Sequence, residues 1–274
     1  MPDAALEIAL RRDRYIVAVA LVVVTSLAWA YLLWLAANME MTGSAMRGMD
    51  MSQGDMRAMM ETSFRPWGLA DFGFVLAMWA VMMVGMMTPS AAPVILLYAH
   101  VGRQAATHGQ PFAATGWFAA GYLLVWAGFS LAATCAQWLL ERAILLTPMM
   151  TSTSSIFGGI VLIAIGVYQW TPLKYACLAQ CQAPLSFIQR HGGFRPEAFA
   201  SLQIGALHGA YCVGCCWALM TLLFVGGIMN ILWIAGITIM VLLEKIIPAG
   251  RLIPRVAGIA FISAGIWLLA TASG

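Results

Sequence analysis

Apolar residues along this chain are grouped into long uninterrupted runs, at residues 15–37, 72–99, 112–138, 155–172, 203–229, 230–247 and 254–272. Most of these reach the roughly 20 residues that a helix needs to cross a hydrocarbon layer about 30 Å thick. Each predicts a helix, because lipid offers no water to backbone groups and the strict alternation of a barrel strand is missing. The expected fold is therefore all-α, a polytopic membrane helix bundle of about seven spans. The fifth and sixth runs meet at Gly226, Gly227, Met229 and Asn230, which fits either a hairpin or one long broken element.

Composition agrees with the pattern. The 274 residues are 62% hydrophobic and 9% charged, whereas a soluble domain carries about 25% charged residues. The net charge of +3 comes from scattered basic residues, so nucleic acid is excluded as a partner and the lipid bilayer is the expected surrounding. With the N-terminus inside, Arg11, Arg12, Arg14, Arg103, Lys174, Arg190, Arg195, Lys245, Arg251 and Arg255 fall on the cytoplasmic side, and Arg47, Arg57, Arg65 and Arg142 outside. That asymmetry favours N-in and C-out. The first run exceeds the 7–15 apolar residues of a signal peptide and reads as an uncleaved anchor. Three segments follow: residues 1–37, a cytoplasmic N-terminus with the anchor span; 38–71, an outer loop rich in Met; and 72–274, a six-span membrane core.

Sulfur and imidazole change the picture. In HGAYCVGCCWALM, residues 208–220, a helical advance of about 100° per residue puts His208, Cys212, Cys215 and Cys216 within about 100° of one face. Cys212, Cys215 and Cys216 occupy one turn and suit a soft ion. His208 lies a turn away and suits a second or transient site. Thiolate and imidazole ligands favour copper(I) or, alternatively, zinc. Gly205 and Gly209 form a small-x-x-x-small pattern that lets a neighbouring helix approach, which predicts an interior position for this helix. Cys177 and Cys181, in a cytoplasmic segment spanning 173–202, are spaced for one helix face, whereas Cys135 is assigned to packing.

Methionine extends the set. Met39, Met41, Met46, Met49, Met51, Met56, Met59 and Met60 crowd the outer segment, and Met78, Met82, Met83, Met86 and Met87 the second run. Thioethers are uncharged, soft ligands that suit copper(I), although Met also fills helix bundles. Pro89 and Pro93 interrupt the same run and predict a bend. Glu244 and Lys245, near the end of the sixth run, read as a snorkelling pair at the interface.

MMTPSAAP at 86–93, YQWTPLKYACLAQC at 168–181 and HGAYCVGCCWALM at 208–220 together resemble a bacterial domain-of-unknown-function family described as predicted metal-binding integral membrane proteins. The resemblance covers roughly residues 70–272. It implies a multispanning fold and metal binding through Cys177, Cys181, Cys212, Cys215 and Cys216. The expected protein is a multi-pass component of the bacterial inner membrane that binds a soft metal, with copper(I) ahead of zinc, for transport or for delivery to a donor or acceptor protein. Its expected ladder of ligands is Met78, Met82, Met83, Met86, Met87, Cys212, Cys215, Cys216, His208, Cys177 and Cys181. An enzyme is the less favoured reading, and no catalytic residue is assigned. Two alternatives stay open: a thiol-disulfide oxidoreductase using a C-x-x-C pair, and a structural or assembly subunit of a larger membrane complex.

Overall fold

The computed structural model describes residues 3–47, 67–107, 115–143, 154–194, 197–247 and 251–272, and in each of the seven apolar runs the described residues are mainly helical. In chain order the helices are α1 (Asp3–Arg47), α2 (Leu69–Thr107), α3 (Thr115–Arg142), α4 (Ser155–Tyr168), α5 (Pro172–Gln182), α6 (Pro184–Arg190), α7 (Ala198–Thr221), α8 (Leu223–Gly226), α9 (Ile231–Ile246) and α10 (Leu252–Ala272). No strand occurs among the described residues. The all-α bundle is as expected, and several long apolar helices make it consistent with a multi-pass membrane protein.

By length and composition, fewer than seven helices qualify as spans among the described residues. Among the described residues, five helical stretches are long and apolar enough to cross a membrane: Tyr15–Met39, Leu69–Arg103, Thr115–Arg142, Ala198–Gly226 and Leu252–Ala272. A sixth arises if α4 and α5, bent by 64°, count as one broken span. The sixth apolar run forms only the 16 residues of α9, about 24 Å at 1.5 Å per residue. Its join to α7 is a hairpin: Gly227 takes a positive φ of 96°, and the Asn230 side chain caps α9 by accepting from the Trp233 N–H at 3.2 Å.

The bend between α4 and α5 follows from local chemistry. Pro172 has no N–H with which to continue α4, and Thr171 starts the new helix by accepting from the Lys174 N–H at 3.3 Å. Residues 173–202, expected as a cytoplasmic segment outside the spans, are largely helical instead, with α5 packed on α7 and α6 on α2. The expected outer loop also begins as helix, since α1 runs on to Arg47. Met49, Met51, Met56, Met59 and Met60 lie outside the described residues.

α2 continues as helix through Pro89 and Pro93. Pro89 cannot donate to the Gly85 carbonyl four residues earlier, and Trp29 of α1 does so instead, its Nε1 donating at 3.2 Å. α7 is the interior helix, packed closely against α3. The Gly205–Gly209 pattern allows that approach, because a Cβ at Gly205 would stand 2.0 Å from the Phe118 carbonyl oxygen.

Gly205→Ala is expected to lower stability by about 1–3 kcal/mol through overpacking. Gly128→Ala on α3, where an added Cβ meets nothing within 4 Å, should stabilise by about 0.5–1 kcal/mol through helix propensity. Unfolding in detergent distinguishes the two; equal effects would show that the α3–α7 contact is not tight.

Candidate metal centre

The thiol face of α7 points into the bundle as its periodicity required. Cys212, Cys215 and Cys216 are each 1% exposed, and His208 is 3% exposed. Two of the thiols lean back along their own helix, Cys215 Sγ donating to the Cys212 carbonyl at 3.1 Å and Cys216 Sγ at 2.8 Å. Cys135 does not pack in the interior: it is exposed on α3.

Other elements bring further donors to this face. The bend after α4 lays α5 across α7, so that Cys181 Sγ lies 4.0 Å from Cys215 Sγ. Cys177 sits over Gly214, where a Cβ would come within 2.8 Å of its sulfur. The hydroxyl of Tyr168, at the end of α4, donates to the Gly214 carbonyl beside it. From α2, Met87 Sδ stands 4.0 Å from Cys216 Sγ. The rest of the expected methionine ladder, Met78, Met82, Met83 and Met86, is buried in the hydrophobic core.

Two more side chains close on Cys212. Tyr122 of α3 has its hydroxyl 3.1 Å from the sulfur, and Lys245 of α9 places Nζ at 2.8 Å from it and at 2.9 Å from Ser90 Oγ. Snorkelling does not describe Lys245, therefore. Its ammonium turns inward because a sulfur and a hydroxyl receive it there. Glu244 turns a different way, as adjacent positions on a helix do, and pairs with Lys174 of α5 at 2.8 Å. Both ends of that ion pair are buried, at 0% and 2% side-chain exposure. Gln169 and Gln182 complete the setting: Lys174 also donates to the Gln169 side chain, and Gln182 Nε2 donates to the Glu244 carbonyl at 2.7 Å.

Sequence reasoning missed Lys245, Glu244, Lys174, Ser90 and Tyr122 as parts of this site. A signal existed for four of them. Two charges at the end of an apolar run, and a lysine and a serine inside the resembling strings TPLK and MMTPS, mark polar groups where polarity is costly. Tyr122 had none.

Soft donors dominate, and their spacing suits a shared ion. Two sulfurs bound to one ion at about 2.3 Å, subtending 110–120°, stand about 3.8–4.0 Å apart. The Cys181–Cys215 and Cys216–Met87 pairs both have a separation of 4.0 Å. Among the described residues, no group of three His, Cys, Asp or Glu side chains converges as a ready-made cage. The arrangement is one of paired sulfurs around a cation-supported thiol. The His208 ring lies among those of Phe118, Tyr122 and Phe187.

All three strings that carry the family resemblance meet at this place, Met87 and Ser90 from the first, Lys174, Cys177 and Cys181 from the second, and the thiols of α7 from the third. No curated protein and no solved structure matches the chain significantly. The sequence model of one family, PpoB2, described as copper chaperone, matches residues 76–268, a stretch that begins within α2 and ends within α10. The chain thus belongs to the PpoB2 family of copper chaperones.

Proposed function

We propose that this protein holds copper(I) within the bundle at Cys181, Cys212, Cys215, Cys216 and Met87 and passes it to, or across, the bacterial inner membrane for a partner protein. The observation that carries this reading is the meeting of four thiols and a thioether from three helices, in pairs at the separation that two ligands of one soft ion adopt. Thioether and thiolate donors together favour copper(I) over zinc, which prefers a closed four-ligand cage of N and S donors. Copper is cargo here. Lys245 places a positive charge beside Cys212, which offsets the negative charge of a sulfur-bound monovalent ion in an apolar interior. The basic residues favour a cytoplasmic N-terminus.

Cys181→Ser tests the reading, because it removes a ligand that α5 supplies from outside the thiol helix. Affinity for copper(I), measured by competition with a coloured chelator, should fall by at least about tenfold to a hundredfold, since losing a ligand costs no less than losing a supporting group at a metal site. An unchanged affinity would overturn the shared site. Quinone-dependent disulfide turnover between Cys212 and Cys215 would instead establish the thiol-disulfide alternative.

A further inference from the structure

Two imidazoles outside the paired sulfurs, His208 and His191, both contact the Phe187 ring. His208 is one helical turn from Cys212 on α7. It is 3% exposed, and its Nδ1 has no hydrogen-bond partner among the described residues. A buried nitrogen left unpaired costs about 1–3 kcal/mol, and such atoms recur where an ion or a reaction needs them. His191 follows α6, half-buried, beside the exposed Arg190. Its Nδ1 is 2.8 Å from the Phe187 carbonyl oxygen. A carbonyl only accepts, so in the neutral ring Nδ1 carries the proton and Nε2 presents a lone pair, the arrangement seen in metal-binding histidines.

One ring stands between them. The Phe187 centroid is 5.1 Å from that of His208 and 4.7 Å from that of His191, with Tyr211 at 5.8 Å from Phe187 and 5.9 Å from His191. Phe187 itself is fully buried. The two imidazoles therefore flank one aromatic side chain, with His208 a helical turn from Cys212 on α7 and His191 at the end of α6.

We propose that His208 and His191 form an imidazole port by which copper(I) moves between the buried sulfurs and a soft-ligand site of a partner at the α6 end. This rests on the proposed function, since it assumes copper(I) at the thiols. The step is ligand exchange: a nitrogen–copper bond forms as a sulfur–copper bond breaks, and copper remains copper(I) throughout. Imidazole suits a port because it binds copper but is less soft than thiolate, so an ion transfers onward and does not stay.

The test uses the full chain in detergent, loaded with copper(I) and mixed with excess water-soluble copper(I) chelator. Release from His191→Leu should be at least about tenfold slower than from the parent, with equilibrium affinity within about twofold, since a port alters a barrier and not the bound state. His191→Met should release at nearly the parental rate, because a thioether replaces the lost donor; a merely structural role for the ring would give no such rescue. His208→Leu should slow release as well, and combining it with His191→Leu should add little, as the two act in series. Parental release rates in His191→Leu would overturn the port. A parent that binds no copper(I) at its thiols would overturn the proposed function itself, which is a separate result.

Discussion

Cys212→Ser, Cys215→Ser and Cys216→Ser, combined in one chain, should abolish tight copper(I) binding while leaving the helices in place. The loss is expected to be large because serine offers a hard oxygen where a soft ion needs sulfur. A complete thiolate-containing site is worth about 10–16 kcal/mol for zinc, so removing three of its sulfurs should reduce binding to background. The fold should persist for a local reason. Cys215 and Cys216 already donate to the Cys212 carbonyl along α7, and a serine hydroxyl makes the same bond to a preceding turn. Metal content after gel filtration, with circular dichroism as the check on folding, measures both halves. An unchanged metal-to-protein ratio in a folded variant would dismiss these thiols as ligands.

Lys174→Met should have the largest effect on stability. It strands Glu244, 2% exposed, without its ion-pair partner, and breaking a buried pair on one side costs about 3–5 kcal/mol. The adjacent Lys245 cannot take over while its Nζ is committed to Cys212 and Ser90. Lys174→Met with Glu244→Gln should recover much of the loss, because no unpaired charge then remains and Gln retains a partner in Gln169. Unfolding in detergent of the two single variants and the double gives the coupling directly. Additive losses would show that the two charges do not stabilise each other.

Much of this architecture was legible in the sequence, and the parts that were not share a cause. Runs of apolar residues located the helices, and helical periodicity placed Cys212, Cys215 and Cys216 on one inward face. Gly205 and Gly209 announced a close helix contact, now seen with α3. Periodicity describes one helix at a time, however. It could not say that the break at Tyr168–Pro172 turns by 64° and lays Cys181 against Cys215, since the bend is stabilised by partners on α7 and α9. Snorkelling was expected for Lys245 because a long side chain near a helix end usually reaches water, yet a thiol and a serine from distant parts of the chain hold it inside. Cys135 shows the reverse case. Its apolar neighbours along the chain gave no hint that this position looks out of the bundle.

The Trp29–Gly85 hydrogen bond joins a residue outside the matched stretch 76–268 to one inside it. Pro89 leaves the Gly85 carbonyl without its helical donor, and hydrocarbon supplies none. During biosynthesis α1 emerges before α2, so the indole is already made when the proline-bearing helix arrives. A chain shortened to the family-matching stretch would have to insert α2 with that oxygen bare. The first helix therefore serves as an assembly partner for the proline-bearing stretch of α2 that carries Met87 and Ser90, and expressing it as a separate fragment alongside residues 69–274 should restore what its deletion removes.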